Sequence, residues 1–148
     1  MAAGIFSGKY KSKEIPQDGG RFSDSHARVG QRYRDRYFKD ETFEALRIIE
    51  PVVEKHNLTL LEVAFRWLIH HSKLNIKDGG NDGIIVGVSS EQQLVQNLED
   101  LEKGPLPEEV VEALDEAWLV CKATTANYWH LDLVYTYDTK EALFGKGG

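Results

Sequence analysis

Asp82-Gly83-Ile84-Ile85-Val86-Gly87-Val88-Ser89-Ser90-Glu91-Gln92-Gln93-Leu94-Val95-Gln96-Asn97 is the stretch on which the fold turns. It reads as a short buried strand, a tight loop and a helix. Ile84, Ile85 and Val86 form a β-branched apolar run, the pattern of a strand covered on both faces. Gly87 lets the backbone turn where a side chain would obstruct it. Ser89 or Ser90 can cap the helix that follows, with Gln92 or Gln93 at capping-box spacing. Leu94 and Leu98 then supply an apolar stripe at helical spacing. A helix that begins where a strand ends collects unpaired N–H groups, and phosphate is their usual occupant. The competing reading is a plain strand–helix joint whose serine caps the helix and binds nothing.

Outward from this stretch, the chain is a succession of helices. Glu108 to Val120 is predicted helical, with Val110, Val111, Leu114, Trp118 and Leu119 inward and acids in the first turn, where the helix dipole favours them. Thr59 caps a helix carrying Leu60, Leu61, Val63, Ala64, Trp67 and Leu68, with Glu62 at capping-box spacing. That helix runs to about His70 or His71, which do not share a face, so they predict no metal site. Thr42 to Lys55 is a further helix with Phe43, Leu46, Ile49, Val52 and Val53 on one side, and Pro51 should kink or divide it. Val29 to Phe38 interleaves Tyr33, Tyr37 and Phe38 with Arg34 and Arg36, a short helix whose Tyr and Arg face a pocket. Lys11 to Asp24 is an exposed loop, and Arg21 on it could grip a phosphate in fork geometry or be an ordinary surface arginine. The tail, Tyr128 to Tyr137, alternates as an edge strand or extended aromatic arm would.

Composition sets outer bounds. With 148 residues, 41% of them hydrophobic and 28% charged, the chain suits one soluble domain with a modest core. A net charge of -6 argues against a general nucleic-acid binder. Glu99, Asp100, Glu102, Glu108, Glu109, Glu112, Asp115 and Glu116 crowd one region and read as a solvated acidic face. The single Cys121 excludes an internal disulfide and suggests a reducing, cytoplasmic setting. No apolar run reaches the ~18 residues of a membrane span, and no secretory signal is evident at the N-terminus.

GIFSGKY, GGRF, QRYRDRYF, VAFRWLIHHS, GIIVGVSSEQQLVQNL and ANYWHLDLVYTYDTKEALF occur in that order. Together they resemble the C-terminal part of an aldo-keto reductase, closest to the fungal form of the aflatoxin-aldehyde-reductase branch. The resemblance covers essentially the whole chain. It implies an α/β fold: the C-terminal fragment of a (β/α)8 TIM barrel from the end of the seventh strand onward. The fragment should be one domain over residues 1–148, mostly helical, with one or two short strands: one at Ile84 to Val86 and a second near Ala2 to Ile5. It also implies NADPH as cofactor and a small-molecule carbonyl substrate.

The roles follow residue by residue. Ser7, Gly8, Lys9 and Tyr10 match the loop over the cofactor pyrophosphate, and Arg21 matches a cofactor-contacting arginine. Ser89, Ser90, Gln93 and Asn97 match the loop and helix that hold the adenosine and its 2′-phosphate, which favours the anion-site reading above. Tyr33 and Arg36 match positions facing substrate. His130 stands where relatives often carry a substrate-contacting arginine. The family's catalytic Asp, Tyr, Lys and His have no counterpart here, so no catalytic residue is assigned and no ordinary reductase activity is expected from this chain alone. The alternative is a non-catalytic or repurposed module of a fungal biosynthetic pathway, binding a nucleotide, a small molecule or a partner protein. Apolar faces left uncovered, including those of Phe43, Ile49 and Trp67, should drive homo-oligomerisation or pairing with a complementing chain.

Overall fold

In the computed structural model, residues 2–17, 20–76, 79–126 and 137–145 are described. They form six helices and two short 3₁₀ segments, and no strand is present among them. The helices are α1 (Ala27–Tyr37), α2 (Asp40–Lys55), α3 (Leu60–His70), α4 (Glu91–Glu102), α5 (Glu108–Cys121) and α6 (Thr139–Phe144). The 3₁₀ segments are Ala2–Ser7 and Asp24–His26.

The central unit is the pair α2 and α5. The helical spacing of Phe43, Leu46, Ile49 and Val53 puts all four on one face of α2, and all four are buried. Burying a side chain of that size contributes roughly 1.5–3 kcal/mol. The facing side of α5 buries Val110, Ala113 and Ala117, and its two alanines let the axes approach closely. Charged contacts fix the register. Lys55 Nζ lies 2.6 Å from Glu109 Oε1, and His56 Nε2 lies 2.8 Å from Glu109 Oε2. At the other end Lys39 Nζ donates to the Thr124 carbonyl. The end of α2 therefore meets the start of α5, so the pair is antiparallel. Lys55 and His56 together hold the Glu109 carboxyl below the usual carboxylate range.

Aromatic rings seat the N-terminal loop on α1 and α2. Phe22 is fully buried, stacked on Phe38 at 4.6 Å between centroids and edge-on to Tyr10 at 4.8 Å. Arg34 locks the loop from α1: its Nη1 donates to the Phe22 carbonyl at 2.6 Å and its Nη2 meets Asp24 at 2.7 Å. Gly30 permits this approach, because a Cβ there would lie 2.1 Å from the Ser23 carbonyl oxygen.

Several expectations need correction. Ile84 to Val86 is not a strand, and Ile85 is 100% exposed. A strand needs a ladder partner, and none is available among the described residues. Ala2 to Ile5 lies in a 3₁₀ segment with Ala3 and Gly4 at positive φ, not in a strand. Pro51 does not divide α2. It sits on the exposed side, where water can serve the carbonyl that loses its N–H partner, while Val53 and the Glu109 bridge hold the last turn. Phe43 and Ile49 are buried, and Trp67 is half-buried against the same core, rather than exposed. The uncovered apolar side chains of the described residues include instead Leu94, Val95 and Leu98 on α4, Trp118 and Leu119 on α5 and Leu143 and Phe144 on α6. Leu119 points outward because the alanine face of α5 is the one that meets α2. The tail reading falls on residues 127–136, outside the described residues; its last residue, Tyr137, is exposed. No helix of the described residues is long and apolar enough to cross a membrane.

Candidate functional site

The entry to α4 is a capping box. Ser90 is extended (φ −148°, ψ 158°), and its Oγ accepts from the Gln93 N–H at 3.3 Å. Gln93 reaches back, its Oε1 accepting from both the N–H and the hydroxyl of Ser89 at 3.1 Å. The Leu94 N–H closes on the Ser90 carbonyl at 3.2 Å. Helix geometry then leaves the N–H groups of Glu91 and Gln92 facing outward without an intrahelical partner. Ser89, Ser90 and Gln93 are all exposed, so these donors are open to an anion. The donor set fits a phosphate. The first turn also carries the Glu91 carboxylate, so the backbone dipole and N–H groups would supply the attraction.

Ser7 and Gly8 reach α4 at a different point. They border a cleft of about 560 Å³ with Glu50, Gln96, Asp100 and Lys103. Gln96 lies six residues past the cap, roughly 9 Å along the helix axis at 1.5 Å per residue. Gly8 has φ 75°, and a Cβ there would meet nothing within 4 Å, so its backbone is open to a close-packed ligand. The Lys9 N–H is turned to Ser7 Oγ at 3.4 Å, and the Lys9 side chain is exposed. Tyr10 is drawn away from the cleft into the Phe22 and Phe38 rings. Asn97 is buried on α4.

The remaining predicted residues divide into two groups. Arg21 is exposed, and its guanidinium sits 5.9 Å from the Tyr33 ring centroid, a cation–π pair that leaves its donors outward. Arg36 is not with them. It packs against its neighbour Tyr37 and lines a separate cleft with Ile5, Phe6, Trp118 and Cys121. Tyr33 and Arg36 therefore face different surroundings although they are three residues apart. His130 lies outside the described residues. Among the described residues no group of three or more His, Cys, Asp or Glu could hold a metal ion.

The sequence reading missed a buried ionic cluster between α3 and α4. Asp100 was expected on a solvated acidic face, but it is only 2% exposed. Lys103 Nζ lies 2.9 Å from Asp100 and 3.1 Å from Glu62, which is also buried. Arg66 Nη1 meets Glu62 at 2.8 Å, and Gln96 donates to Asp100 at 3.1 Å. Hydrogen bonding to Asp100, then to Glu62, raises the Lys103 ammonium above the usual lysine value. The available signal was spacing: Glu62 with Arg66 and Gln96 with Asp100 are i,i+4 pairs, and Asp100 with Lys103 is an i,i+3 pair.

Residues 1–119 match the model of the aldo/keto reductase family. An aldo-keto reductase of Pseudocercospora fijiensis is 42% identical over 130 residues, which cover 87% of this chain and 43% of that protein. Aflatoxin B1 aldehyde reductase member 2 of Mus musculus is 38% identical over 87% of this chain and 36% of its own length. Aldo-keto reductase pigE of Monascus ruber is also 38% identical, over 88% of this chain and 38% of its own. The chain thus spans less than half the length of these relatives.

Proposed function

The chain belongs to the aldo/keto reductase family, and from that premise we propose that it is the cofactor-clamping portion of an NADPH-dependent reductase of aldehydes or ketones. The observation that carries this reading is the Ser89–Ser90–Gln93 capping box, which presents two free backbone donors at the start of a 12-residue helix. The family's β/α barrel places such loop–helix joints on the face where ligands bind. NADPH supplies the hydride when bound. The part assigned to this chain is binding: the α4 N-terminus receives a phosphate of the cofactor, and Gly8 gives its pyrophosphate room to approach. Arg21, steadied on Tyr33, adds a cation at the edge of the same loop. Arg36 lines a mainly apolar cleft suited to a small carbonyl compound. No proton donor to the carbonyl is assigned within these residues.

The exposed Leu94, Val95 and Leu98 favour a working state in which α4 is covered by further barrel structure, whether of the same or of a complementing chain. The test is a thermal melt of the 148-residue chain with NADPH and with NADH. A ligand held only by the folded state, at about 100 times its Kd, adds ~2.7 kcal/mol, a rise of roughly 5–10 °C. The expected result is a rise with NADPH that exceeds the rise with NADH. A cooperative melt unmoved by NADPH would remove the clamp. Robust NADPH-dependent aldehyde reduction by this chain alone would overturn the assignment of binding without proton donation.

A further inference from the structure

Five residues join α4 to α5, and the first four are Lys103, Gly104, Pro105 and Leu106. Each of these four is hydrogen-bonded through its backbone to a side chain at the end of α3. Arg66 donates from Nε to the Gly104 carbonyl at 2.7 Å and from Nη2 to the Pro105 carbonyl at 2.5 Å. His70 Nε2 lies 2.8 Å from the Lys103 carbonyl, and the Leu106 N–H donates to His71 Nε2 at 3.0 Å. The adjacent imidazoles therefore carry opposite tautomers. A carbonyl accepts only, so His70 must hold its proton on Nε2, and a protonated His70 would still donate. His71 accepts at Nε2, so it must be neutral with its proton on Nδ1.

We propose that His71 makes the α4–α5 joint an acid-sensitive latch, closed when its imidazole is neutral and opened when a proton takes the nitrogen that Leu106 uses. Opening leaves the Leu106 N–H unpaired beside a cation. The charges around His71 add to this. On α3 they are His70 and Arg66, with Glu62 held beyond Arg66, and Lys73 follows two residues on. At the end of α4 they are Lys103 and Asp100, which are engaged with each other. On α5 Glu109 is engaged with Lys55 and His56 and ties that helix to α2 instead. Burial, then His70, then Arg66 shift His71 below the usual histidine value. The sign follows: a depressed value means the latch contributes fully above the unfolded value of about 6.5 and is lost as pH falls through the lower folded value.

The test is NMR on the 148-residue chain from pH 8 down through the titration of His71, followed by the ¹⁵N shifts of its own ring. Long-range ¹⁵N correlation at pH 8 should show His71 unprotonated at Nε2 and His70 protonated there. The Leu106 amide protection factor should drop at least tenfold more than that of Val63, whose N–H donates to the Thr59 carbonyl at the N-cap of α3, away from the imidazoles. His71→Gln, which keeps an acceptor but does not titrate, should flatten that drop. An Nε2–H tautomer of His71 at pH 8 overturns the latch, as does a Leu106 protection factor that tracks Val63. Both readings come from the unaltered chain, so they stand even if His71→Gln fails to fold.

Discussion

Lys103→Met is the substitution that tests the ionic cluster most directly. The ammonium sits between two carboxylates, 2.9 Å from Asp100 and 3.1 Å from Glu62. At an effective dielectric of about 20, each attraction is on the order of 5 kcal/mol before desolvation is counted. Desolvation cancels most of it, and the Lys103 side chain is 39% exposed, so water offsets part of the loss. The Asp100 side chain is only 3% exposed and would be left with Gln96 as its remaining hydrogen-bond partner. Removing one member of a buried pair costs about 3–5 kcal/mol, and water at the lysine brings the expectation down to roughly 2–3 kcal/mol. Urea denaturation monitored by tryptophan fluorescence reads this directly: the midpoint falls while the slope is unchanged. The double variant Lys103→Met/Asp100→Leu should recover at least ~1 kcal/mol, because the uncompensated carboxylate is gone. A Lys103→Met protein within about 0.5 kcal/mol of the parent would refute the reasoning. So would additive losses in the double variant.

Gly30→Ala sets two effects of opposite sign against each other. Helix propensity alone favours alanine by about 1 kcal/mol, but the new Cβ would lie 2.1 Å from the Ser23 carbonyl oxygen. The clash should win, with a net loss of about 1–3 kcal/mol by thermal melt, and a stabilised variant would show that the loop does not press on α1 as described. Glu109→Gln removes the bridge from α5 to Lys55 and His56. Because the folded carboxyl is depressed, the bridge contributes fully above the unfolded carboxylate value of about 4.3. It is lost as pH falls through the lower folded value. Urea midpoints of parent and variant should therefore differ at pH 7 and converge toward pH 3; a gap that is constant with pH would contradict this.

Helices α1 to α5 were legible because their signals are local, whereas the six-residue α6 was not foreseen. Thr59 caps α3 through the Glu62 N–H at 3.1 Å, and Ser90 with Gln93 caps α4, both as their spacing predicts. The inward face of α2 followed from periodicity alone. What failed was whatever depends on a partner far along the chain. Ile84 to Val86 has strand composition, but composition does not provide a ladder. Asp100 looked like one acid among many, because its burial depends on Glu62 and Lys103 across the α3–α4 contact. Glu62 was read as a capping residue, yet its carboxylate is spent on Arg66 and Lys103. At the candidate site the cap was readable, whereas the meeting of Ser7 and Gly8 with the second half of α4 was not.

Short surface connections are ordinarily where homologous chains gain and lose residues most freely. The stretch from Lys103 to Leu106 has the length and exposure of such a place, with Gly104 and Pro105 both exposed. Its backbone, however, is matched atom for atom to three side chains spaced over less than two turns of α3. One inserted residue would move at least two of those groups out of reach of their partners. It would also rotate the start of α5 against the antiparallel register that Glu109 and Lys39 hold at its two ends. The connection therefore acts as a fixed-length spacer, and length variation is expected instead in the exposed residues 11–14 of the loop before α1 and in the segment before α4.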